Sequence, residues 1–303
     1  MSSRAILLFG PTAVGKTRLL FSVFADGYEV INADSMQVYR GMDIGTAKPS
    51  PSERRALPHH LVDIRNPDQQ YTVGDFVRDA DSASRDITER GRIPVVSGGT
   101  AFYFRNYLFG LPETPPSDPA LRDRLRKRLA DEGSATLHAE LAAVDPRSAV
   151  RISRADGYRI TRALEVYELT GRALSDVDVP DSPRSGLNPL IIGLCRDRAE
   201  LHERIEGRVS AMFDAGLPDE VASLRERGYT AEDPGMRAIG YREFFEYEDL
   251  DEVRERIVVS SRRYAKRQMT FFRRLPGVEW VHPEDTATIT RLVERFFASV
   301  DLG

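Results

Sequence analysis

Short apolar runs that end in glycine or a polar residue recur along the first hundred positions, and amphipathic stretches separate them. An apolar run of this length is typical of a strand buried on both faces of a parallel sheet. The predicted strands here are 4–9, 28–34, 61–64 and 93–97, and the predicted helices are 17–24, 73–90 and 100–109. This alternation predicts an α/β fold in which helices cover both faces of a parallel sheet.

A proline-rich segment at 111–119 interrupts this alternation, and the pattern beyond it is helical as far as a second polar stretch at 176–189. The later predicted elements are helices 119–132, 134–143 and 155–169, a strand at 190–195, helices 198–215, 219–227, 235–247 and 250–275, a strand at 278–281 and a final helix. We therefore predict a core in two parts, 1–115 and 189–303, with a helical insertion domain at 116–188.

The composition is that of a globular protein, with 41% hydrophobic and 30% charged residues among 303. No apolar run approaches the roughly eighteen residues of a membrane span, and the first residues lack the long apolar stretch of a signal peptide. We therefore expect a cytoplasmic monomer that does not bind membranes. Cys195 is the single cysteine, which excludes an internal disulfide, and its apolar neighbours predict a buried strand position.

The basic residues are concentrated in two places, although the net charge of −4 speaks against a protein that coats nucleic acid non-specifically. Eight lysines and arginines stand against one acidic residue between Arg254 and Arg274, and a second basic cluster spans 122–128. A solvated helix face explains each cluster about as well as contact with nucleic acid phosphates does. The clusters alone leave both interpretations open.

Gly10 to Thr17 fit the pattern G-x-x-x-x-G-K-[ST], between a predicted strand and a predicted helix. In that context backbone N–H groups surround phosphate oxygens at a helix N-terminus, Lys16 reaches the terminal phosphate, and the Thr17 hydroxyl can bind Mg²⁺. The motif predicts a P-loop NTPase-like core that binds phosphate. An aspartate after a second apolar strand usually organises the Mg²⁺, and both Asp34 and Asp63 fit that description.

The polar residues of a second segment, 32–49, form a more specific pattern than an ordinary loop has. Together with the phosphate loop, this segment resembles the tRNA dimethylallyltransferases, also called tRNA isopentenyltransferases. Further blocks that are similar to that family are 58–64, 98–100, 162–166, 239–242 and 265–268, so the resemblance covers nearly the whole chain. It implies transfer of a dimethylallyl group from dimethylallyl diphosphate to the exocyclic amine of the adenosine just 3′ of a tRNA anticodon, with Mg²⁺ as cofactor and the anticodon stem-loop as partner.

The chemistry of that reaction gives several residues a role. An adenine amine is a poor nucleophile, so a base must remove its proton as the new bond forms, and Asp34 follows a strand beside the phosphate loop. The resemblance implies that Arg208 stabilises the reacting diphosphate, and that the flipped base and its neighbours need a clamp. The implied diphosphate-binding residues are Gly10, Pro11, Thr12, Ala13, Val14, Gly15, Lys16 and Thr17.

The implied tRNA-binding residues come from both predicted domains, and Tyr158 and Tyr241 are candidates to stack on splayed bases. They are Asp34, Ser35, Met36, Gln37, Thr100, Arg122, Tyr158, Arg159, Ile160, Thr161, Arg162, Arg237, Ala238, Ile239, Gly240, Tyr241 and Arg242. Three rival hypotheses remain: a small-molecule or nucleotide kinase, an enzyme that prenylates free adenine nucleotides, and a non-catalytic RNA-binding module. For Lys48, a phosphate or RNA contact and a structural salt bridge are equally good explanations.

Overall fold

Strand β1 lies near the middle of a parallel sheet, which is the expected place for its unbroken apolar sequence. The computed structural model describes residues 3–298, and within them six strands form one sheet in the order β3-β2-β4-β1-β5-β6. The strands are β1 (Ser3–Phe9), β2 (Tyr28–Asn32), β3 (His59–His60), β4 (Ile93–Gly98), β5 (Leu187–Leu194) and β6 (Glu279–Val281). Every pairing is parallel, so the predicted α/β fold is confirmed.

Helices connect these strands, and several begin at side chains that cap their free N–H groups. Ser50 and Thr72 each form a capping box with the acidic residue three positions on, which fixes where α2 and α3 begin. The helices are α1 (Lys16–Val23), α2 (Pro51–Ala56), α3 (Val73–Glu89), α4 (Ala101–Phe109), α5 (Pro119–Glu132), α6 (Ser134–Val144), α7 (Pro146–Arg151), α8 (Gly157–Thr170), α9 (Arg198–Asp214), α10 (Leu217–Glu226), α11 (Glu243–Glu246), α12 (Leu250–Phe272) and α13 (Thr286–Ala298). No helix within residues 3–298 is long and apolar enough to cross a membrane.

The chain divides into two compact units, which we call the sheet unit (Met1–Leu108 with Arg184–Gly303) and the helical unit (Phe109–Pro183). In the sheet unit, the Phe9 ring stacks on Phe272 with centroids 4.3 Å apart, which anchors α12 against the central strand. The helical unit has its own apolar core, formed by Leu121, Leu125, Leu137, Leu141, Ala149, Ile160, Ala163 and Leu164. Residues 187 and 188, predicted to belong to the insertion, instead pair with β1 as the first part of β5.

Three sequence predictions differ from the structure for local reasons. The strand predicted at 61–64 is replaced by β3 two residues earlier, because Leu61 and Asp63 have φ of 62° and 57°, which no strand allows. The helix predicted at 235–247 is reduced to α11, because the chain turns at Gly240, where φ is +97°. Cys195 follows the end of β5 and is half-buried rather than buried in the strand.

Candidate active site

The phosphate loop connects β1 to α1 and draws the Lys16 ammonium inward. The Nζ atom of Lys16 donates hydrogen bonds of 3.0 Å to the carbonyl oxygens of Gly10 and Pro11. Gly15 has φ of +112°, a conformation that L side chains rarely adopt, so glycine suits the point where α1 begins. Burial lowers the pKa of Lys16 to about 8, although Asp34 opposes that shift and Arg208 adds to it.

Side chains from later parts of the chain hold this loop in shape. Arg204 donates to the carbonyl oxygen of Ala13 at 2.9 Å, and Arg196 donates to that of Val14 at 2.8 Å. These two guanidinium groups occupy the carbonyl side of the loop, which leaves its N–H side for an anion. Gln268 accepts the Thr12 N–H at 2.9 Å, so that donor is engaged within the protein.

Asp34 follows β2, directly after the point where Ala33 contacts Gly98 of β4. A side chain at Gly98 would lie 2.2 Å from the carbonyl oxygen of Ala33, so only glycine allows this approach. The Oδ1 atom of Asp34 accepts the Met36 N–H at 2.9 Å, and a Cβ built on Gly99 would lie 3.9 Å from Oδ2. Asp34, Gly98 and Gly99 therefore lie together at the carboxyl edge of the sheet, where parallel sheets bind ligands.

Arg208 brings a second half-buried cation to the site from α9. Its Nη1 donates to the Thr12 hydroxyl at 3.0 Å, and its Nη2 approaches the Thr46 carbonyl oxygen at 3.5 Å. Burial lowers the pKa of the guanidinium from its ordinary value, and the carboxylate of Asp34 opposes that shift. Because an arginine remains charged across the physiological range, Lys16 and Arg208 together attract an anion at this point.

Two cavities of the sheet unit meet at these residues. One measures about 320 Å³ and follows the phosphate loop from Thr12 to Arg18. The other measures about 260 Å³, and much of its wall is apolar. The apolar part is formed by Ile205, Val209, Met212, Ile239 and Ile257. The residues that line both cavities are Thr12, Asp34, Thr46, Arg208 and Tyr264.

The structure brings most of the predicted tRNA-binding residues of the sheet unit to the apolar cavity. Those that line it are Asp34, Ser35, Met36, Arg237, Ala238, Ile239 and Gly240. Thr100 lies behind them and accepts the Ser35 N–H at 2.9 Å, while Gln37 lines the cavity at the phosphate loop. The Tyr241 ring does not lie on this wall: it is fully buried, so the prediction that it stacks on a splayed base is wrong. Arg242 is half-buried and bonds to Ser260 and Glu243.

The predicted residues of the helical unit lie on or beside α8, but only some face solvent. The side chain of Tyr158 is 66% exposed, and the Arg122 guanidinium lies 5.8 Å from the centre of its ring. Arg159 is also exposed, whereas Ile160 and Thr161 are buried and cannot offer their side chains to RNA. Arg162 is engaged with Glu165 and with the carbonyl oxygen of Pro115.

The two basic clusters differ in how their charges are balanced. In the cluster at 122–128, Arg124 pairs with Glu168, Arg126 with Asp123, and Arg128 with Glu132 and Glu140. On α12 and just beyond it, four cations surround a shallow groove: Arg263, Lys266, Arg267 and Arg274. Within residues 3–298 none of these four forms an ion pair, and Arg267 also lines the apolar cavity. The second cluster therefore has the larger uncompensated charge.

The alternatives left open for Asp63 and Lys48 are decided by an ion-pair network around the buried Lys48 side chain. The side chain of Lys48 is only 2% exposed and pairs with Asp43 at 2.5 Å and with Asp63 at 2.6 Å. Asp63 also pairs with Arg54, and Lys48 and Arg54 together hold its pKa below its usual value against the effect of burial. Lys48 thus forms a structural salt bridge, and Asp34 is the aspartate at the phosphate loop.

Sequence reasoning missed Tyr264 and Gln268 as site residues. Both project from α12: Tyr264 lines both cavities, and Gln268 joins the phosphate loop to the Gly99 carbonyl oxygen through a bond of 2.7 Å. Ser261, which lines the apolar cavity, precedes them by three and seven residues, the spacing that places side chains on one helix face. The spacing of these three polar residues was the sequence signal that could have identified Tyr264 and Gln268 as site residues.

Similar proteins match this chain over most of its length. A family model described as IPP transferase matches residues 37–275. The tRNA dimethylallyltransferase of Geobacter sulfurreducens is 42% identical over 97% of this chain and 97% of its own, and that of Thiobacillus denitrificans is 46% identical over 90% of each. The crystal structure of a tRNA isopentenylpyrophosphate transferase from Bacillus halodurans is 35% identical, with a TM-score of 0.69 over 98% of this chain and 97% of that one. A eukaryotic dimethylallyltransferase described as acting on tRNA gives a TM-score of 0.78 at 26% identity, over 97% of this chain and 77% of that one.

Proposed function

The chain belongs to the IPP transferase family, and we propose that it transfers the dimethylallyl group of dimethylallyl diphosphate to the exocyclic amine of the adenosine 3′-adjacent to a tRNA anticodon, with release of diphosphate. The position of Asp34 carries this proposal. Its carboxylate stands where a phosphate-binding cavity meets an apolar cavity, as a donor with a charged end and a hydrocarbon end requires. The relatives are named as tRNA transferases rather than kinases, so the kinase hypothesis is set aside.

The donor fits the two cavities in one orientation. Its diphosphate lies along the phosphate loop, and its isoprenoid tail extends past Thr12 and Asp34 toward Ile205 and Val209. Lys16 and Arg208 meet the charge that develops on the bridging and terminal oxygens as the diphosphate leaves. An aqueous site would stabilise that charge less, because water must reorganise while these cations are already in place.

The acceptor amine reacts from the side of Asp34. The N6 atom attacks C1 of the allylic group, the C1–O bond breaks, and its electron pair leaves with the diphosphate. One N6 proton passes to the carboxylate of Asp34, which restores a neutral amine. The bond from the Met36 N–H to Oδ1 fixes one carboxylate oxygen and leaves Oδ2 to receive the proton.

Magnesium fits the chemistry of the residues at this site. Within residues 3–298 there is no group of three or more His, Cys, Asp or Glu side chains that could hold a metal ion. Mg²⁺ suits such a place because it retains water molecules and binds through substrate phosphate oxygens. Thr17, exposed in the first turn of α1, is the protein ligand that we propose. When bound, the ion neutralises charge on the leaving diphosphate.

The RNA partner that we propose is the anticodon stem-loop. The loop residues 34–36 and 237–240 line the cavity that the flipped adenine enters, and the unpaired cations on and just beyond α12 bind the phosphates beside it. Of the residues of the helical unit that the resemblance implies, Tyr158 and Arg159 are exposed and Arg122 lies half-buried against the Tyr158 ring, and we propose that these three contact RNA. We propose that the enzyme acts as a monomer in the cytoplasm.

Labelled dimethylallyl diphosphate tests the whole proposal. Purified protein, Mg²⁺ and a synthetic anticodon stem-loop should give labelled RNA, and a stem-loop with the target adenosine replaced by guanosine should stay unlabelled. Labelling of free adenosine monophosphate at a similar rate would contradict the tRNA specificity. Phosphate release from ATP with no labelled RNA would contradict the transferase activity itself.

A further inference from the structure

The carboxylate of Glu220, on α10, holds three successive backbone N–H groups of a loop that borders the active site. Its Oε2 atom accepts the N–H groups of Asp43 and Ile44 at 2.9 Å each, and its Oε1 atom accepts that of Gly45 at 3.3 Å. Such adjacent N–H groups form a concave anion site, which here an internal carboxylate fills. Neither the sequence motifs nor the reaction chemistry above gives Glu220 a role.

Tyr241 completes this arrangement, because its hydroxyl bonds to both Glu220 and the loop. Its hydroxyl donates to Oε1 of Glu220 at 2.6 Å and accepts the Gly45 N–H at 3.1 Å. The ring is fully buried, and a Cβ on residue 45 would lie only 2.4 Å from it, which explains glycine at that position. Burial and the neighbouring Glu220 both raise the pKa of Tyr241, so its hydroxyl remains a proton donor.

The residue that follows this loop forms part of the active site. Thr46 lines both cavities, and its carbonyl oxygen accepts from Gln37 at 3.1 Å and is approached by Nη2 of Arg208 at 3.5 Å. The Thr46 hydroxyl donates to the Met42 carbonyl oxygen at 2.6 Å, which makes the loop one compact turn. Movement of the N–H groups held by Glu220 would therefore displace the Thr46 carbonyl oxygen.

We infer that Glu220 and Tyr241 are positioning residues, which fix the loop at 43–46 and through the Thr46 carbonyl oxygen orient Arg208 toward the diphosphate. The inference rests on the proposed function, in which Arg208 stabilises the leaving group. The inference also gives Tyr241 a different role from that of residues 237–240. Its buried hydroxyl bonds to Glu220 and contributes to catalysis without contacting RNA.

Conservative variants test this role. Glu220→Gln places an amide N–H against a backbone N–H, and Tyr241→Phe removes a single oxygen from a buried ring. We expect kcat for RNA prenylation to fall roughly tenfold in each, while the Kd for the stem-loop stays within about twofold. Glu226→Gln, a change at an exposed position on the same helix, serves as the matched control and should match the wild type.

A double-mutant cycle with Arg208→Lys distinguishes positioning from general structural support. If Glu220 acts through Arg208, Glu220→Gln should lower kcat by less than about twofold in the Arg208→Lys background, because residues that act through one another are not additive. Calorimetric titration with inorganic pyrophosphate should show the same pattern, with weaker binding in Glu220→Gln alone and no further loss in the double variant.

Several results would overturn the inference. Additive losses in the cycle, wild-type kcat in both Glu220→Gln and Tyr241→Phe, or weaker RNA binding by Tyr241→Phe with unchanged kcat each contradict it. If Glu220→Gln fails to fold, Tyr241→Phe carries the test alone, since it retains the ring and its packing. Failure of the wild type to label RNA would contradict the proposed function instead, and the pyrophosphate titration would still decide the role of Glu220.

Discussion

Arg208 donates a hydrogen bond of 3.0 Å to the hydroxyl of Thr12, a residue 196 positions earlier in the chain. This contact places a permanently charged guanidinium beside Thr12 of the phosphate loop, in the cavity that Lys16 also lines. The cavity along the phosphate loop therefore presents the cations of both Lys16 and Arg208. Asp34 lines the same cavity. A carboxylate that can accept a proton therefore lies near two cations that can stabilise a leaving anion.

Replacement of Asp34 by asparagine should separate catalysis from binding. The amide oxygen can still accept the Met36 N–H, so the local structure should persist, but the amide cannot take a proton from the adenine amine. We expect kcat to fall by about two orders of magnitude or more, with the stem-loop Kd nearly unchanged. Single-turnover labelling and a fluorescence binding assay measure the two quantities. Unchanged turnover would remove Asp34 as the base.

The pH dependence of donor binding should report on Lys16. Its pKa is lowered to about 8 by burial, so the ammonium that attracts the diphosphate is present below that pH and is lost as the pH rises through it. The Kd of an unreactive diphosphate analogue should therefore stay level up to about pH 8 and increase above it. Lys16→Arg keeps a cation throughout and should abolish the increase. An equal increase in that variant would assign the titration to another group.

Removal of the unpaired cations on α12 should weaken RNA binding in a salt-dependent way. Lys266→Ala combined with Arg274→Ala should reduce the slope of log Kd against log salt by about 1.4 to 1.8, because each lost phosphate contact contributes roughly 0.7 to 0.9. The matched control is Arg124→Ala with Arg126→Ala, since those arginines are paired with Glu168 and Asp123. A similar slope change in the control would show that ion pairing does not distinguish the clusters.

Two glycine substitutions should change stability in opposite directions. In Gly98→Ala the new Cβ would lie 2.2 Å from the backbone oxygen of Ala33, and buried strands cannot move far apart, so we expect a loss of about 2–4 kcal/mol in the free energy of unfolding. Gly207→Ala adds a methyl group to an exposed position of α9 with no heavy atom within 4 Å, and should stabilise by about 0.5–1 kcal/mol. Calorimetric unfolding measures both, and a neutral Gly98→Ala would contradict the close approach.

The amino-acid sequence alone determined the features that depend on neighbours along the chain. The apolar runs predicted strands β1, β2, β4 and β5, and the glycines, Lys16 and Thr17 predicted the phosphate loop, because each signal lies within a short stretch of neighbouring residues. The position of Asp34 beside that loop followed from the rule that parallel strands end at one edge of their sheet.

Only the tertiary structure decided how polar side chains are partnered. Glu220 and Tyr241 hold a loop that lies 175 and 196 residues away in the chain, and no local pattern specifies such contacts. The same applies to the two basic clusters, since Arg124, Arg126 and Arg128 on α5 are paired with acidic residues whereas, within residues 3–298, Arg263, Lys266 and Arg267 on α12 are not, according to which acidic residues lie nearby in space. Charge, burial and reactivity depend on distances between remote segments, and folding alone sets those distances.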